Sequence, residues 1–468
     1  MRPALALDGD PLFGLATPPG HSGVAVVRLS GKGIPDLLLP LLRKPDGSPV
    51  RGEDLPARVM RRVDLVDSKA GEVLDQVLVV HFPGPRSFTG EAQAEIHCHG
   101  APVVVARLLE LLVAAGMRPA QPGEFSRRAF LNGKMDLVQA EALMSLIGAS
   151  TLRAARAATR HLRGDFSRQV GQIRDVLVVL LAHLEAHLDF SDEEIAPDTP
   201  ERMLATVTQQ QALLEKIHQS ASLGRHLRQG FELALVGRPN VGKSSLFNCL
   251  AGEERAIVTP VAGTTRDVNE YSVVIAGVPV RLVDTAGLRQ GGGVVERVGV
   301  ERARERLRQA DGVLFVAEAQ KGVLPGDRDI LATLDRDKFL FVWNKMDLLS
   351  AGRTIPDVQS AWPGSVVLTA SCRTGAGIDQ VRAAMVDLLG AIPTDGEGVV
   401  LMQARQVAAV GRAVTALQEC GHIFVRGGDL ELAAIPLREA LAALGELVGE
   451  VTQEILLDKI FGEFCIGK

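Results

Sequence analysis

The chain has 468 residues, of which 46% are hydrophobic, and a formal net charge of −5. This length predicts about three domains, and the hydrophobic content excludes an intrinsically disordered chain. The acidic balance excludes attraction of nucleic acid by a global positive field, so a nucleic-acid partner would need a local basic patch.

The spacing of the cysteines and the length of the apolar runs indicate the cellular compartment of the protein. Five cysteines form no Cys-x-x-Cys pair, which is typical of reduced thiols in a cytoplasmic protein. The N-terminal stretch MRPALALDGD does not resemble a signal peptide. The longest apolar run, near 176–182, is well short of a membrane span. We therefore predict a cytoplasmic protein with no transmembrane segment.

The first part of the chain predicts two kinds of domain. Residues 1–123 mix strand-like runs, such as GVAVVRLS and VLDQVLVVHF, with one helical pattern, PVVVARLLELLVAAG, and Pro- and Gly-rich turns lie between them. This mixture predicts a compact α/β or α+β domain. Residues 124–228 carry apolar residues with a 3.6-residue period and predict long helices.

The second part predicts an α/β unit followed by more helices. From 229 to 388, short apolar strands alternate with helical patterns, which predicts a parallel sheet with crossover helices. Helical patterns return within 389–468. We predict that the α/β unit is inserted into one helical domain, because the termini of a domain often lie close together. Four consecutive domains are the alternative, since each helical half could form a small bundle.

A phosphate-binding motif follows the first strand of the α/β unit. In GRPNVGKSS, Gly237, Gly242, Lys243 and Ser244 fit G-x-x-x-x-G-K-[ST]. The glycines let backbone N–H groups curl around phosphate, and the N-terminus of the next helix attracts negative charge. Lys243 is suited to bridge the outer phosphates, and the Ser244 hydroxyl is suited to ligate Mg²⁺.

A second motif, DTAG, ends another predicted strand. Asp284 is expected to hold Mg²⁺ through water, and the N–H of Gly287 is expected to meet the γ-phosphate. The motif is weak alone and strong after a phosphate-binding loop.

Two further motifs select the base. In NKMD, Asp347 can accept hydrogen bonds from N1–H and the amino group of guanine, which adenine cannot supply. Asn344 and Lys345 are expected to order this loop, and Ser371 and Cys372 of TASCRTGAG are expected to lie beneath the base. The four motifs in this order predict GTP as the substrate.

The hydrolytic machinery is less obvious. Leu288 stands after DTAG, where glutamine often orients the attacking water. Asn240 and the oxygen-rich segment TPVAGTTRD, in which Thr265 can complete the Mg²⁺ site, are suited to hold a monovalent cation beside the phosphates. A loop-shaping role for Asn240 is equally open. Gln290 and Glu296 are the candidates for water positioning, although Glu296 also suits the first turn of a helix.

Several segments together resemble the MnmE (TrmE) family of tRNA-modifying GTPases, within the TrmE/Era-like group. They are ATPPGHSGVAVVRLSG (16–31), PRSFTGE (85–91), PGEFSRRAFLNGKMDLVQAEAL (122–143), GRPNVGKSSLFN (237–248), AGTTRDV (262–268), DTAGLR (284–289), VERVGVERA (295–303) and the terminal CIGK (465–468). The resemblance implies an N-terminal α/β folate-binding and dimerisation domain (1–123), a helical domain in two halves (124–228 and 389–468), and an inserted Ras-like P-loop G domain (229–388).

The resemblance also implies roles for particular residues. It places K⁺ on Asn240 and on the backbone oxygens of Thr259, Val261 and Thr264, and it gives the water-orienting role to Glu296. It further implies that K⁺-dependent pairing of two G domains stimulates hydrolysis. The GTP-binding residues are then Asn240, Val241, Gly242, Lys243, Ser244, Ser245, Thr259, Pro260, Val261, Ala262, Gly263, Thr264, Thr265, Asp284, Thr285, Ala286, Gly287, Asn344, Lys345, Met346, Asp347, Ser371, Cys372 and Arg373.

The implied reaction adds a carboxymethylaminomethyl group to C5 of the wobble uridine of tRNA, jointly with the flavoprotein MnmG (GidA). A 5-formyl- or methylene-tetrahydrofolate would supply the one-carbon unit. Folate contacts map onto Arg28, Glu95, Lys134 and Lys468, where cations suit glutamate carboxylates and Glu95 suits donors on the pterin edge. The loop QGGGVV (290–295) departs from the polar, acidic sequences usual in the family.

Three other features have competing interpretations. His97 and His99 share a strand face, but no further ligand has suitable spacing for a metal, so packing is favoured. Arginines 153, 156, 160 and 163 share one helix face, which suits tRNA phosphates but is favoured as a solvated surface. A non-catalytic G-protein switch is an alternative function, although it leaves 1–123 unexplained.

The C-terminal EFCIGK could be a lipid anchor, a disordered end or part of an active site. A prenylation box is excluded because Gly467 is not aliphatic and no polybasic stretch precedes Cys465. The amphipathic pattern TQEILLDKIFGEF predicts a helix that delivers the tail to a packed surface. We therefore predict that the tail reaches the folate pocket, with Lys468 beside the cofactor and Cys465 as a candidate reactive thiol.

Overall fold

The computed structural model describes residues 9–467, except for 68–70, 190–198, 252–269, 285–306, 308, 332–337, 351–354, 356–357, 359–364, 390–399, 427–429, 450–453, 463 and 465–466. The contacts divide the chain into two compact units. Unit 1 comprises 1–144 and 445–468, and unit 2 comprises 145–444.

Unit 1 is built on a seven-stranded sheet with the order β3-β4-β5-β6-β2-β1-β7. Neighbouring strands are antiparallel except for β1 and β7, which are parallel. The strands are β1 (Leu12–Leu15), β2 (Ser22–Ser30), β3 (Leu42–Arg43), β4 (Arg61–Asp67), β5 (Glu72–Phe82), β6 (Gln93–Gly100) and β7 (Arg118–Pro119).

Alternation along the strands decides which face of this sheet is buried. In β6, Ala94, Ile96 and Cys98 are buried while the intervening Glu95 and His97 are partly exposed. The helix Pro102–Ala114 contributes to the same apolar cluster as these buried residues, through Val105, Leu108, Leu111 and Leu112. The opposite face of β2 and β6 is therefore free to carry polar side chains.

The C-terminal helix belongs to unit 1. Glu454–Gly462 packs against Leu137–Ile147 through a cluster formed by Leu137, Ala140, Leu457, Phe461 and Phe464. Gly123, at the start of the helix Glu124–Leu131, allows a close approach, because a Cβ there would lie 2.3 Å from the carbonyl oxygen of Phe461. Residues 124–144 therefore belong to the same compact unit as the N-terminal sheet. The domain boundaries after residues 123, 228 and 388 remain a prediction.

Unit 2 contains a six-stranded sheet with the order β13-β12-β11-β8-β10-β9. All neighbouring strands are parallel except β9 and β10. The strands are β8 (Phe231–Val236), β9 (Glu270–Ile275), β10 (Val278–Asp284), β11 (Gly312–Glu318), β12 (Phe339–Asn344) and β13 (Val366–Thr369).

The prediction of a parallel sheet for this segment is wrong for β9 and β10, which pair in antiparallel fashion. The run YSVVIAGVPVRLVDT forms a hairpin, in which Ala276 and Gly277 have φ angles of 50° and 77°. Positive φ at both central residues is the geometry that two-residue hairpins prefer. β9 therefore lies at the edge of the sheet without a crossover helix.

Helices pack on both sides of this sheet and beyond it. The long run 152–189 breaks at Gly164 (φ 79°), where one helix ends and the next begins. The described helices of unit 2 are Leu152–Leu162, Asp165–Asp189, Pro200–Gln219, Ala221–Gln229, Lys243–Ala251, Pro325–Leu331, Ile378–Leu388, Ala404–Val425 and Leu430–Val448. The end of Leu430–Val448, from Gly445 onward, belongs to unit 1.

Helices from before and after the α/β segment contact each other. Pro200–Gln219 packs along Ala404–Val425. The side chains of Leu204 and Val207 lie close to Gly421: a Cβ built on this glycine would be within 4 Å of both. This contact supports the predicted insertion, in which two distant segments form one helical domain.

The helices hold the sheet at the end where β8 and β11 begin. Arg225 donates to Oδ1 of Asp311 over 2.8 Å, and Oδ2 of Asp311 accepts from the N–H of Glu232. Burial alone would raise the pKa of Asp311, but hydrogen bonds from His226 and Glu232 and the charge of Arg225 lower it to about 2. The nucleotide motifs lie at the opposite end of the sheet.

Candidate functional site

The phosphate-binding loop joins β8 to the helix Lys243–Ala251. Its first and last glycines are required by the backbone: Gly237 has φ 149° and Gly242 has φ 96°. A Cβ would lie 2.3 Å from the carbonyl oxygen of Val316 at Gly237 and 2.3 Å from Nδ2 of Asn344 at Gly242. Asn240 adopts φ 64° between them, a conformation that asparagine tolerates better than most residues.

The lysine of the loop lies against its backbone. Nζ of Lys243 donates to the carbonyl oxygens of Gly237 and Arg238 at 3.0 and 3.1 Å, and the residue is 6% exposed. Ser244 and Ser245, in the first turn of the helix, are exposed. The loop thus gathers one ammonium group, two hydroxyls and a helix N-terminus at one point, which suits a polyphosphate.

A buried carboxylate supports the loop from the side. Nε of Arg238 donates to Oδ1 of Asp327 over 2.9 Å, while Oδ2 of Asp327 accepts from the N–H of Leu324. Asp327 is 5% exposed, whereas the Arg238 side chain is 38% exposed, so only the carboxylate end of this ion pair is shielded from water. Sequence motifs did not single out Asp327, because it lies far from the glycine loop in the chain.

Asp327→Ala is expected to weaken GTP binding about tenfold, because it frees the Arg238 end of the loop and removes a buried charge-assisted hydrogen bond. Isothermal titration with GTP measures this effect. Asp379→Ala, at an exposed position of the same unit, is the matched control. Equal affinities for the two variants would contradict the supporting role.

The base-side motifs are linked to the phosphate loop by Asn344. This side chain is 1% exposed; its Nδ2 donates to the carbonyl oxygen of Val241 over 2.9 Å. Its Oδ1 accepts from the N–H of Cys372 at 3.4 Å and from the Cys372 thiol at 3.3 Å. One buried amide therefore ties together the loops after β8, β12 and β13.

Asp347 is held in place by the loop after β13. The Ser371 hydroxyl lies 2.6 Å from Oδ1 of Asp347, and Arg373 lies 3.9 Å from its Oδ2. The Asp347 side chain is 15% exposed, although its backbone is open. Met346, before it, packs partly against the apolar cluster of the sheet. Such a fixed, partly buried carboxylate can select donors on a purine.

Lys345 is oriented by a second carboxylate. It adopts φ 60°, and its Nζ lies 3.2 Å from Oε2 of Glu318, which also accepts from Lys321. Lys321, and then Lys345, hold the pKa of Glu318 below its usual range. The aliphatic stem of Lys345 is thereby fixed at the end of β12.

Part of the predicted GTP site lies outside the described residues. The strand β10 ends at Asp284, whose backbone is described and whose side chain is not. The other predicted residues outside the description are Thr259, Pro260, Val261, Ala262, Gly263, Thr264, Thr265, Thr285, Ala286, Gly287 and Glu296.

Unit 1 carries a second candidate site on the polar face of its sheet. A cleft of about 280 Å³ is lined by Arg28, Phe82, Phe88, Gln93, Glu95 and Leu143. Arg28 and Glu95 are direct partners in the register of β2 and β6, and Nε of Arg28 donates to Oε1 of Glu95 over 3.1 Å. The guanidinium lies 5.7 Å from the centre of the Phe88 ring. The sequence prediction named both Arg28 and Glu95 but missed Phe88 and Gln93. Phe88 lies within the segment PRSFTGE, which was an available signal, whereas Gln93 lies just beyond that segment.

The chain terminus reaches this cleft through Gly467. Nη1 of Arg28 donates to the carbonyl oxygen of Gly467 at 3.4 Å. Gly467 has φ 92°, and a Cβ there would lie 2.4 Å from the carbonyl oxygen of Leu15. A Cβ on Gly14 would lie 2.8 Å from Cα of Gly467. Gly467 therefore packs directly against the backbone of β1. Cys465 and Lys468 lie outside the described residues.

Lys134 is placed near the cleft but not in its lining. A Cβ on Gly90 would lie 3.3 Å from Cε of Lys134 and 3.0 Å from Cβ of Asn132, so the lysine passes over the loop that follows Phe88. Its side chain is exposed.

The two histidines and Arg153 have ordinary protein partners. His97 lies 3.3 Å from Glu95 and His99 lies 2.7 Å from Asp75, and no group of three metal-ligating side chains occurs among the described residues. Arg153 donates to the carbonyl oxygen of Ala276 over 3.0 Å, so it supports the β9–β10 turn.

A mostly parallel sheet that carries a glycine loop, a buried lysine and a base-side asparagine at the ends of its strands defines a P-loop nucleotide-hydrolysing protein. A helical-domain model described as "MnmE helical domain" matches 137–465, and "GTP-binding protein TrmE N-terminus" matches 11–134. No helix among the described residues is long and apolar enough to cross a membrane.

Whole-chain relatives agree with these matches. The chain is 50% identical over 469 residues to "tRNA modification GTPase MnmE" of Magnetococcus marinus, with 100% of both chains covered. It is 40% identical to the protein of that name in Aquifex aeolicus (98% and 100% covered) and 43% identical to that of Symbiobacterium thermophilum (97% and 98%). The chain belongs to the MnmE family of tRNA modification GTPases. The family, the multidomain α/β and α fold and the GTPase activity predicted from the sequence are thereby confirmed.

Proposed function

We propose that this protein couples GTP hydrolysis to addition of a carboxymethylaminomethyl group at C5 of the wobble uridine of tRNA, acting with the flavoprotein MnmG. A 5-formyl- or methylene-tetrahydrofolate would supply the one-carbon unit. The observation that carries this proposal is 50% identity to a tRNA modification GTPase along the whole of both chains. The cleft between Arg28 and Phe88 supports its folate component.

The described residues of the proposed GTP site fall into a phosphate side and a base side. On the phosphate side, Lys243, which lies against the loop backbone, would offset the charge of the outer phosphates, and the N–H groups of the loop would donate to them. On the base side, Asp347 accepts from guanine while Ser371 fixes its orientation. Asn344 links the two sides, since its side chain forms hydrogen bonds with both of them.

The chain offers donors for two cations. The exposed Ser244 hydroxyl at the helix start, with Thr265, would hold Mg²⁺. Asn240, exposed and held at φ 64°, would hold K⁺ with the backbone oxygens of Thr259, Val261 and Thr264. The hard oxygen donors fit such ions, which when bound supply positive charge beside the phosphates. Glu296 would orient the attacking water.

Hydrolysis is expected to slow sharply when K⁺ is replaced by Na⁺, because the proposed Asn240 site is sized for the larger ion. The initial rate of phosphate release at equal ionic strength measures this. A matched Asn240→Ala variant is expected to lose the difference between the two salts. Equal rates in K⁺ and Na⁺ for the unmodified protein would contradict the proposed cation site.

The cleft of unit 1 suits a folate in three respects. The Phe88 ring offers an apolar surface for a flat heterocycle, and Glu95 can accept from its amino and ring N–H groups. Arg28 supplies a cation that is already oriented by Glu95. Lys134 and Lys468 would meet the glutamate carboxylates, and Cys465 would act as a thiol close to the one-carbon unit.

Arg28→Ala is expected to weaken binding of 5-formyltetrahydrofolate by about ten- to a hundredfold, because it removes a charged donor and frees Glu95. GTP affinity should stay unchanged. Calorimetry with each ligand measures both, with Arg62→Ala on the exposed part of β4 as the control. Unchanged folate affinity in the Arg28 variant would place the folate elsewhere.

The assembly that we propose is a cytoplasmic homodimer formed through the N-terminal domain, with pairing of the two G domains during hydrolysis. The domains proposed for this arrangement are 1–123, 124–228 with 389–468, and 229–388. Packing of Pro200–Gln219 on Ala404–Val425 supports the split helical domain. tRNA and MnmG are the proposed macromolecular partners.

A further inference from the structure

Two cysteines meet beside the base-side loops. Cys249 lies on the helix Lys243–Ala251, and its Sγ is 3.4 Å from the carbonyl oxygen of Cys372. Besides burial, the neighbouring Cys249 thiol also contributes to the raised pKa of the Cys372 thiol. Both side chains are partly buried at the edge of the same apolar cluster. The pair therefore joins the helix after the phosphate loop to the loop after β13.

Cys372 is also connected to the nucleotide site. Its N–H and its thiol both donate to Oδ1 of Asn344, and Nδ2 of that side chain donates to Val241 in the phosphate loop. A displacement of the Cys372 sulfur toward Cys249 would draw it away from Asn344. The loop that carries Ser371, the partner of Asp347, would move with it.

We propose that Cys249 and Cys372 form an oxidation-sensitive thiol pair, and that their disulfide weakens guanine-nucleotide binding. The inference rests on the proposed assignment of 344–347 and 371–373 to the base. The oxidant is a peroxide: it converts one thiol to a sulfenic acid and releases water, and the second sulfur then displaces the hydroxyl group as a second water. Two thiols and one hydrogen peroxide thus give one disulfide and two waters.

The surroundings distinguish this pair from the other described cysteines. Cys98 and Cys420 are 3% and 0% exposed, whereas Cys249 and Cys372 are only partly buried. Burial, and next the neighbouring Cys249, raise the pKa of Cys372 to about 11, so its thiol is protonated at neutral pH. Because the thiolate is the form that reacts, oxidation is expected to be slow and to require added peroxide.

The test uses the full-length protein, fully reduced and then treated with hydrogen peroxide. Peptide mapping is expected to find Cys249 linked to Cys372, with a mass two hydrogens below the sum of the reduced peptides. Affinity for GTP is expected to fall about tenfold, as for loss of a buried hydrogen bond, and to recover with dithiothreitol. Bound GTP is expected to slow formation of the link.

Cys249→Ser separates this proposal from other cysteine chemistry, because it keeps a donor to the Cys372 carbonyl but cannot form the disulfide. This variant should bind GTP normally and keep its affinity after peroxide. Absence of the linked peptide, or an equal loss of affinity in the variant, would overturn the thiol-pair proposal. Equal binding of GTP and ATP by the reduced protein would instead overturn the guanine assignment on which it rests.

Discussion

Asn344→Ala is expected to lower GTP affinity about a hundredfold. The substitution removes the donor to Val241 and the acceptor for Cys372, and it leaves both partners buried without that bond. The combined cost is about 3 kcal/mol, which corresponds to about a hundredfold in affinity. Because Asn344 is 1% exposed, water is not expected to replace the lost contacts.

Calorimetric titration with GTP measures this loss, and thermal unfolding of the same samples shows whether the α/β segment remains folded. Gln380→Ala, at an exposed position on the helix Ile378–Leu388, is the matched amide control. An Asn344 variant that is folded and binds GTP like the control would refute the linking role.

Arg128→Met is expected to destabilise unit 1 by about 3–5 kcal/mol, because it removes the cation from a buried charge network. Arg128 is 3% exposed, and it pairs with Asp10, Glu91 and Glu124. Burial alone would raise the pKa of Glu124, but hydrogen bonds from Arg118 and the N–H of Gln121, with the charge of Arg128, keep it below its usual range. The variant would leave Arg118 as the remaining cation beside Asp10 and Glu124, and Glu91 would lose its pairing with Arg128.

Chemical unfolding monitored by circular dichroism measures the change, with Arg62→Met on β4 as the exposed control. GTP affinity should be retained, since the network lies within unit 1. A loss of less than about 1 kcal/mol, the size typical of exposed ion pairs, would show that water already reaches the network.

The sequence predicted the elements of the α/β segment well, because nucleotide motifs have fixed places at strand ends. Gly237, Gly242 and Lys243 follow β8, and Asn344 ends β12, as the motif context requires. The hairpin of β9 and β10 was missed because apolar content alone does not distinguish one long strand from two. The positive φ angles at Ala276 and Gly277 are the local cause of the turn.

Long-range packing was harder to predict. The 3.6-residue period marked Glu454–Gly462 as a helix, but periodicity does not indicate which partner an apolar face will meet. Its contact with Leu137 and Ala140 depends on residues more than three hundred positions away. The close approaches at Gly123 and Gly467 were similarly invisible, since they are properties of neighbouring backbones.

The candidate sites likewise contain residues that the sequence identified and residues that only the fold identified. Arg28, Glu95, Lys243 and Asp347 could be named because their chemistry suits a ligand. Supporting residues such as Asp327 act through other side chains, so no motif identifies them. Phe88 became a candidate only when the fold placed its ring beside Arg28.

The most direct test of the proposed function is the nucleoside profile of tRNA from a strain that lacks this gene. We predict that carboxymethylaminomethyl modification at C5 of the wobble uridine disappears and that the unmodified gene restores it. Genes encoding Lys243→Ala or Arg28→Ala should restore it poorly, because one impairs the GTP site and the other the folate cleft. A deletion strain with a normal wobble-uridine profile would contradict the account.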